Sequence, residues 1–528
     1  MPRRPRSCEH RVEHERLHER RPIACAHVSL LKETSIRALR RIGTGIIPER
    51  DATVNVYFCY TILMRRQITE KSFFQFLKCP TWVYFDAHAP TPRPHHPLLS
   101  ALLDDGLIEA KQRTLLDGRE DMAEVTAEDS EEAFLQTLAF MREGRQTIYR
   151  AVLMDKHYLA HPDVLEKVQG ESKLGKWYYV AADIKSARAV RDEYAFQGCF
   201  YAELLETIQG VRPKQGYVVT PDNEVLSYAI EKYEQEYHLT LHEIEEIVAG
   251  RRPPHFVTSG CKNSPWFSEC RGLSESCDDI SLLNRVWREE VARLQQAGIT
   301  TVSQLAKLSV HEIERRAPDL DPGRLSMLQI QAIALTEGRH ILLNRAHLPE
   351  ARVELFFDVE SDPLRDFDYL LGVLAVSEGK QKYHAFLART PEEQKDMWQS
   401  FLSFIESYHD APVYHYGGFE QEVVRRLGER HGRTPIAQEA LERNMIDILF
   451  SLRHSVVFPL PFYSLKDIGA YLGFHWRSED AGGANSVLWF EDWLKTKDEG
   501  VLKKIVEYNE DDVRATHHLQ RWLRENAT

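Results

Sequence analysis

The sequence lacks any apolar run long enough to span a bilayer, so a soluble chain without a membrane partner is expected. It is also poor in cysteine. Eight cysteines scattered over 528 residues, with no secretory pattern at the start, do not make a disulfide framework, and a reducing cytoplasmic setting is the expectation. Nor is there a basic excess. The formal net charge of -13 argues against an indiscriminate cationic coat for nucleic acid, while leaving room for a local phosphate groove beside metal-binding acids. The length suits about three domains.

Residues 1–63 are rich in Arg, His and Glu and carry no sustained apolar periodicity. Glu9, Glu13, Glu15 and Glu19 argue against a transit peptide, a class poor in acids. This stretch is read as a disordered or dispensable extension, with Met64 as the true start.

Globular patterning begins at Ile68. Ser72 to Pro80 reads as a short amphipathic helix stopped by proline, and helical patterning follows over 97–116 and 130–143. Ile148 to Met154 is strand-like, and Lys176 to Lys185 is an apolar strand ending in Asp183-Ile184-Lys185. Asp183 and Lys185 share a face by the period of two. Gln197 and Tyr201 are i, i+4 neighbours on the helix opened by Tyr194. With Asp163, this offers two carboxylates for a metal and a lysine that orients water or steadies charge on phosphorus. An ordinary ion pair at a strand end is the competing reading.

His161-Pro162-Asp163, Ala182-Asp183-Ile184-Lys185 and Gln197-x-x-x-Tyr201 resemble the core of a RecB-family nuclease of the PD-(D/E)xK type. The resemblance implies a restriction-endonuclease-like α/β nuclease core over 64–280. It implies Asp163 and Asp183 as metal ligands, Lys185 as the catalytic lysine, and Gln197 with Tyr201 as helpers near the substrate. Glu109, in Gly106-Leu107-Ile108-Glu109, is the candidate for the upstream helix acid of that family. Ile108 stands where relatives usually carry His, and His161 where glycine is more usual.

Several nucleases of this type staple their fold with a 4Fe-4S cluster held by one cysteine before the core and three after it. Cys79, then Cys261, Cys270 and Cys277, offer those thiolates here. Ser264 occupies the place where a close Cys-x-x-Cys pair is expected, and zinc on the same thiols or free cysteines stay open.

Residues 281–349 read as a helical linker in which Gly298 stops one helix and Thr301 caps the next. The pattern resembles a helix-hairpin-helix, whose backbone N–H groups grip phosphate, although the second glycine of the hairpin is missing and a plain linker competes.

Over 350–528 the leading stretch is Glu354 to Ser361, an apolar strand ending in Asp358-Val359-Glu360. Both acids project from one face, which suits Mg2+ or Mn2+. Pro412 to Glu420 is a strand entering a glycine turn, with Glu420 opening a helix. Tyr508 and Asp512 share a face of a late acidic helix, for which a solvated surface is the plain alternative. Lys466 reaches a phosphate or is an ordinary surface lysine.

Asp-x-Glu, a later acid and Tyr-x-x-x-Asp together resemble the DEDD exonucleases, with the YprB-like branch nearest. That implies an RNase H-like mixed-sheet α/β domain in which Asp358, Glu360, Glu420 and Asp512 bind two divalent ions and Tyr508 positions the water. Glu420 replaces the usual aspartate.

The chain is therefore expected to be a hydrolase, a metal-dependent nuclease acting on DNA in preference to RNA, at free ends or single strands. Repair, recombination or defence is the expected setting, with a helicase or repair protein as partner. A nucleic-acid-binding scaffold or helicase-associated subunit with one or both sites inactive is the alternative, and a single-site nuclease lies between. The reading of residues 1–63 predicts that intact-mass spectrometry of the native protein finds a chain starting at Met64. A species starting at Met1 overturns it.

Overall fold

The computed structural model describes residues 67–89, 121–185, 189–220, 224–363, 365–478 and 483–527. Glu109, the helical stretch expected over 97–116 and Met64 lie outside them. The architecture is the mixed α/β one that was expected, with strands gathered into a six-stranded and a five-stranded sheet and two smaller ones. No helix among the described residues is long and apolar enough to cross a membrane.

The N-terminal unit opens with β1 (Ile68–Thr69), α1 (Glu70–Lys78) and α2 (Pro80–His88). Pro80 stops α1 by starting α2. At a first-turn position its missing N–H costs nothing, so the chain turns at Cys79. Next come β2 (Met122–Glu124) and α3 (Ser130–Glu143), the latter capped by Asp129, whose carboxylate accepts the N–H groups of Glu131 and Glu132.

The run from Ile148 to Met154 is two strands, β3 (Thr147–Tyr149) and β4 (Leu153–Asp155), parted at Arg150, where φ is 58°. β5 (Tyr158–Ala160), β6 (Val164–Ser172), β7 (Gly175–Ile184), α4 (Asp192–Gln209), β8 (Gln215–Val219), β9 (Val225–Ala229) and α5 (Glu234–Ala249) complete the unit. The large sheet runs β2-β3-β6-β7-β8-β9, and α4 crosses between the parallel strands β7 and β8. Phe196, Phe200 and Leu204 of α4 share one core with Leu165 and Tyr179 of the sheet.

The middle is helical: α6 (Phe267–Cys277), α7 (Arg288–Gln296), α8 (Val302–Lys307), α9 (Val310–Arg316) and α10 (Pro322–Glu337). Gly298, at φ 75°, separates α7 from α8, and the Thr301 hydroxyl accepts the Gln304 N–H as the cap of α8.

The C-terminal unit comprises β10 (Ile341–Leu342), β11 (Val353–Asp362), β12 (Phe367–Ser377), β13 (Lys380–Leu387), α11 (Gln394–Ser407), β14 (Val413–His415), α12 (Phe419–His431) and α13 (Pro435–Asn444). β15 (Met445–Asp447), α14 (Ile448–Ser455), β16 (Val456–Val457), α15 (Leu465–Tyr471), α16 (Gly483–Thr496) and α17 (Glu499–Asn526) follow. Its sheet runs β13-β12-β11-β14-β15, antiparallel on the β12 side of β11 and parallel on the β14 side. β10 pairs with β16, and the Ala346 N–H donates to the Ala527 carbonyl, so residues before 350 are already tied to this unit.

Two apolar layers sandwich that sheet. Phe357 enters one, stacked on Phe401 of α11 at 5.1 Å, while Phe356 enters the other with Leu519 of α17. Phe357→Ala is expected to cost about 3–5 kcal/mol in urea unfolding, because a fully buried ring leaves a cavity that its neighbours cannot fill. A loss below about 1 kcal/mol would show that the layer collapses into the space.

Candidate metal centre

Backbone alternation decides which side chains can meet. Leu355, Phe357 and Val359 enter the layer beneath α11, which turns Phe356, Asp358 and Glu360 to the opposite face, where α17 lies. On α17, Tyr508 and Asp512 are one turn apart. The acidic run is not a solvated surface, since Asn509, Asp511 and Asp512 are all buried. As a result, carboxylate oxygens of Asp358, Glu360 and Asp512 lie within 4.8 Å of one another, the one such three-ligand group among the described residues.

Glu420 opens α12 as expected and is buried, but its carboxylate sits by His415, 3.6 Å from Nδ1. It stands close enough to raise the Asp358 pKa without belonging to the 4.8 Å group.

The three acids are individually held. Asn509 donates to Asp358 at 2.8 Å and accepts from the Tyr383 hydroxyl, while Trp476 donates from Nε1 to Asp512 at 2.6 Å. Ser486 is bonded to Glu360. The Asn509 contact depends on Gly372, which pairs with Asp358 across β11 and β12. A Cβ at Gly372 would lie 1.6 Å from Asn509 Oδ1. Lys466 of α15 brings a cation: its Nζ lies 4.6 Å from the centre of the Tyr508 ring, buried and without a hydrogen-bond partner among the described residues.

Charge is the governing problem here. Two unit charges no more than 4.8 Å apart repel by at least about 3 kcal/mol at an effective dielectric near 20. Burial first and Asp512 second push Glu360 up to about 8. Burial raises Asp512 to about 6 against the pull of Lys466, Trp476 and Tyr508, and Asp358 is raised by burial and by both acids. Burial lowers the Lys466 pKa, and the three carboxylates oppose that shift. Three converging hard oxygens that repel one another when ionised fit a divalent cation of the Mg2+ or Mn2+ kind, and the absence of nitrogen or sulfur from the group does not favour zinc.

The N-terminal residues also converge, around the adjoining ends of β6 and β7. Asp163 accepts the Ile184 N–H at 2.7 Å, and the Asp163 N–H donates to Asp183 at 3.3 Å. Asp183 accepts from the Tyr201 hydroxyl at 3.2 Å and pairs with Lys185 at 3.0 Å. Burial works against the Lys185 charge, but Asp183 and Asp163 outweigh it and raise its pKa. Gln197 is buried and donates to the Glu70 carbonyl at 3.2 Å.

Glu70 is a residue that sequence reasoning missed. Its carboxylate takes the His161 N–H at 3.3 Å and faces His161 Nδ1 at 3.4 Å, so it fixes the turn leading into Asp163. An acid in the first turn of a helix is so ordinary that nothing in the sequence marks it. Trp476 and Ser486 were missed as well, since neither lies in a recognisable spacing.

Of the four cysteines, Cys79, Cys261 and Cys270 are buried together with Trp82 and Trp266, and the Cys79 thiol is hydrogen-bonded to those of Cys261 and Cys270. Cys277 is seven residues beyond Cys270 on α6, roughly 10 Å along the axis, and is not part of that group.

A family model described as the RNase H superfamily matches residues 355–524, and the C-terminal domain is RNase H-like. Nucleases of that superfamily typically use divalent metals, in keeping with the carboxylate group found here. No curated protein matches the chain.

Raised carboxylate pKa values give the metal-free fold a definite pH response. Stability from Glu360 and Asp512 is fully present below their unfolded values near 4 and is lost as pH rises through about 6 and about 8. Mg2+ needs the ionised forms, so the thermal shift it produces should be larger at pH 8.5 than at pH 6. A shift independent of pH, or abolished by neither Asp358→Asn nor Asp512→Asn, would contradict the assignment.

Proposed function

We propose that the chain is a metal-dependent nuclease that hydrolyses phosphodiester bonds of DNA, at free ends or in single strands, with the C-terminal domain as its main cutting centre. The observation that carries this reading is the group of Asp358, Glu360 and Asp512, half-buried at Asp358, buried at the other two, and mutually repelling under α17. In this reading 350–528 is a YprB-like 3′–5′ exonuclease-type domain, 281–349 a helical connector of helix-hairpin-helix type, and 64–280 a RecB-like PD-(D/E)xK domain. The partner it implies is a helicase or repair protein.

Asp358, Glu360 and Asp512 would hold Mg2+ or Mn2+, with Glu420, which lies beside His415, as the fourth acid. Such ions, when bound, lower the pKa of a coordinated water and neutralise charge on the phosphoryl oxygens. Tyr508 is kept protonated by burial and by the charge of Asp512, so its hydroxyl orients the water as a hydrogen-bonding group and does not act as a base. Lys466 places its ammonium where negative charge grows on the phosphate. Trp476 and Asn509 keep Asp512 and Asp358 aimed.

Asp163, Asp183, Lys185, Gln197 and Tyr201 form the second centre in this reading, and Glu70 sets its geometry through His161. The three gathered thiols of Cys79, Cys261 and Cys270 supply ligands for the iron–sulfur staple of that domain. The His415–Glu420 pair favours one alternative, a nucleic-acid-binding scaffold whose C-terminal site is switched off.

End-labelled single-stranded and duplex DNA and RNA, incubated with Mg2+ or Mn2+, test this. Asp358→Asn and Asp512→Asn should reduce cleavage at least about a hundredfold, and Lys466→Met on the order of a hundredfold. Asp183→Asn and Lys185→Met should remove only the share cut by the second centre. Cleavage unchanged in all five variants means that both sites are wrongly drawn.

A further inference from the structure

Two hollows of about 350 and 420 Å3 adjoin at the seam between the helical middle and the RNase H-like domain. Arg285, Met327 and Arg453 line both, and each hollow carries an aromatic ring that projects into solvent. Trp287 in the first and Phe450 in the second are each 61% exposed. Arg453 Nε is buried with no hydrogen-bond partner among the described residues, and Arg285 is exposed. Arg324, by contrast, is consumed by two bonds to Glu290. With Arg285 exposed and Arg453 half-buried, the two guanidinium groups make a local positive spot, open to an anion, in a chain whose net charge is -13. Burial first and the neighbouring Arg285 charge second lower the Arg453 pKa, against the opposing pull of Tyr416, Asp447 and Tyr463.

We propose that this seam is a binding groove for single-stranded nucleic acid, in which Arg285 and Arg453 hold backbone phosphates and Trp287 and Phe450 stack bases on either side. Alternation of ring, cation pair and ring fits at least two consecutive nucleotides, where a lone phosphate or a mononucleotide would use only half of it. The groove borders the turn that precedes Glu420. Asp447 lines the second hollow, and its carboxylate accepts the Gly417 N–H at 2.9 Å, in the turn that delivers Glu420 to α12. The groove therefore deepens the nuclease reading and rests on it for the direction in which a strand is fed.

The test is equilibrium binding by the full chain, without divalent metal and with EDTA, of a fluorescent 12-nucleotide oligothymidylate, thymidine monophosphate and inorganic phosphate. The oligonucleotide should bind far more tightly than either small probe. Arg285→Gln with Arg453→Gln should weaken it at least about tenfold and reduce the slope of log K against log salt by about 1.4, two phosphates at about 0.7 each. Trp287→Ala and Phe450→Ala, at exposed positions that do not threaten folding, should each weaken it by about fivefold or more without changing that slope. Wild-type affinity in these variants overturns the groove, whether or not the protein cleaves DNA. Equal affinity for oligonucleotide and mononucleotide overturns it too. Lost binding in the variants of a protein that cleaves nothing leaves the groove standing and removes the nuclease reading.

Discussion

Mutual repulsion among Asp358, Glu360 and Asp512 is the constraint around which the C-terminal domain is built. A fold does not gather three carboxylates, two buried and one half-buried, within 4.8 Å of one another without compensation. Part of it is supplied locally by the indole of Trp476, the amide of Asn509 and the ammonium of Lys466, which arrive from three different segments. Glu360 and Asp358 keep strongly raised pKa values despite them, so those groups do not complete the neutralisation. The remaining deficit is what a divalent cation is suited to fill.

The N-terminal centre is poised differently. There Asp183 is already bonded to Tyr201 and paired with Lys185, and Asp163 receives a backbone N–H, so the charges are largely answered from within the protein. Such a site is stable as it stands, whereas the C-terminal one is under electrostatic load. The difference is physical and does not depend on which motif each resembles.

Much of this was legible in the sequence because the critical pairs are local. Asp358 with Glu360 lies on one strand and Tyr508 with Asp512 on one helix, where period two and period 3.6 fix the faces directly. The mixed α/β layout and the helix starts at Thr301 and Glu420 follow from equally local signals, an N-cap and a glycine turn. What escaped is non-local. Glu70 reaches His161 across 91 positions and Trp476 reaches Asp512 across 36, and no spacing rule spans such separations. The pairing of β10 with β16, two residues on each side, is too short to leave a pattern. Position in space also separated Cys277 from three cysteines that it accompanies in sequence.

Gly372 has a bearing on how such a site can drift over evolutionary time. The strand position opposite Asp358 is reserved for the absence of a side chain, because Asn509 reaches across that gap. A descendant that gained even a methyl group there would have to shorten or lose the amide on the late helix in the same step, or release its first acid. Asp358, Gly372 and Asn509 therefore form one structural unit, although 151 residues separate its ends.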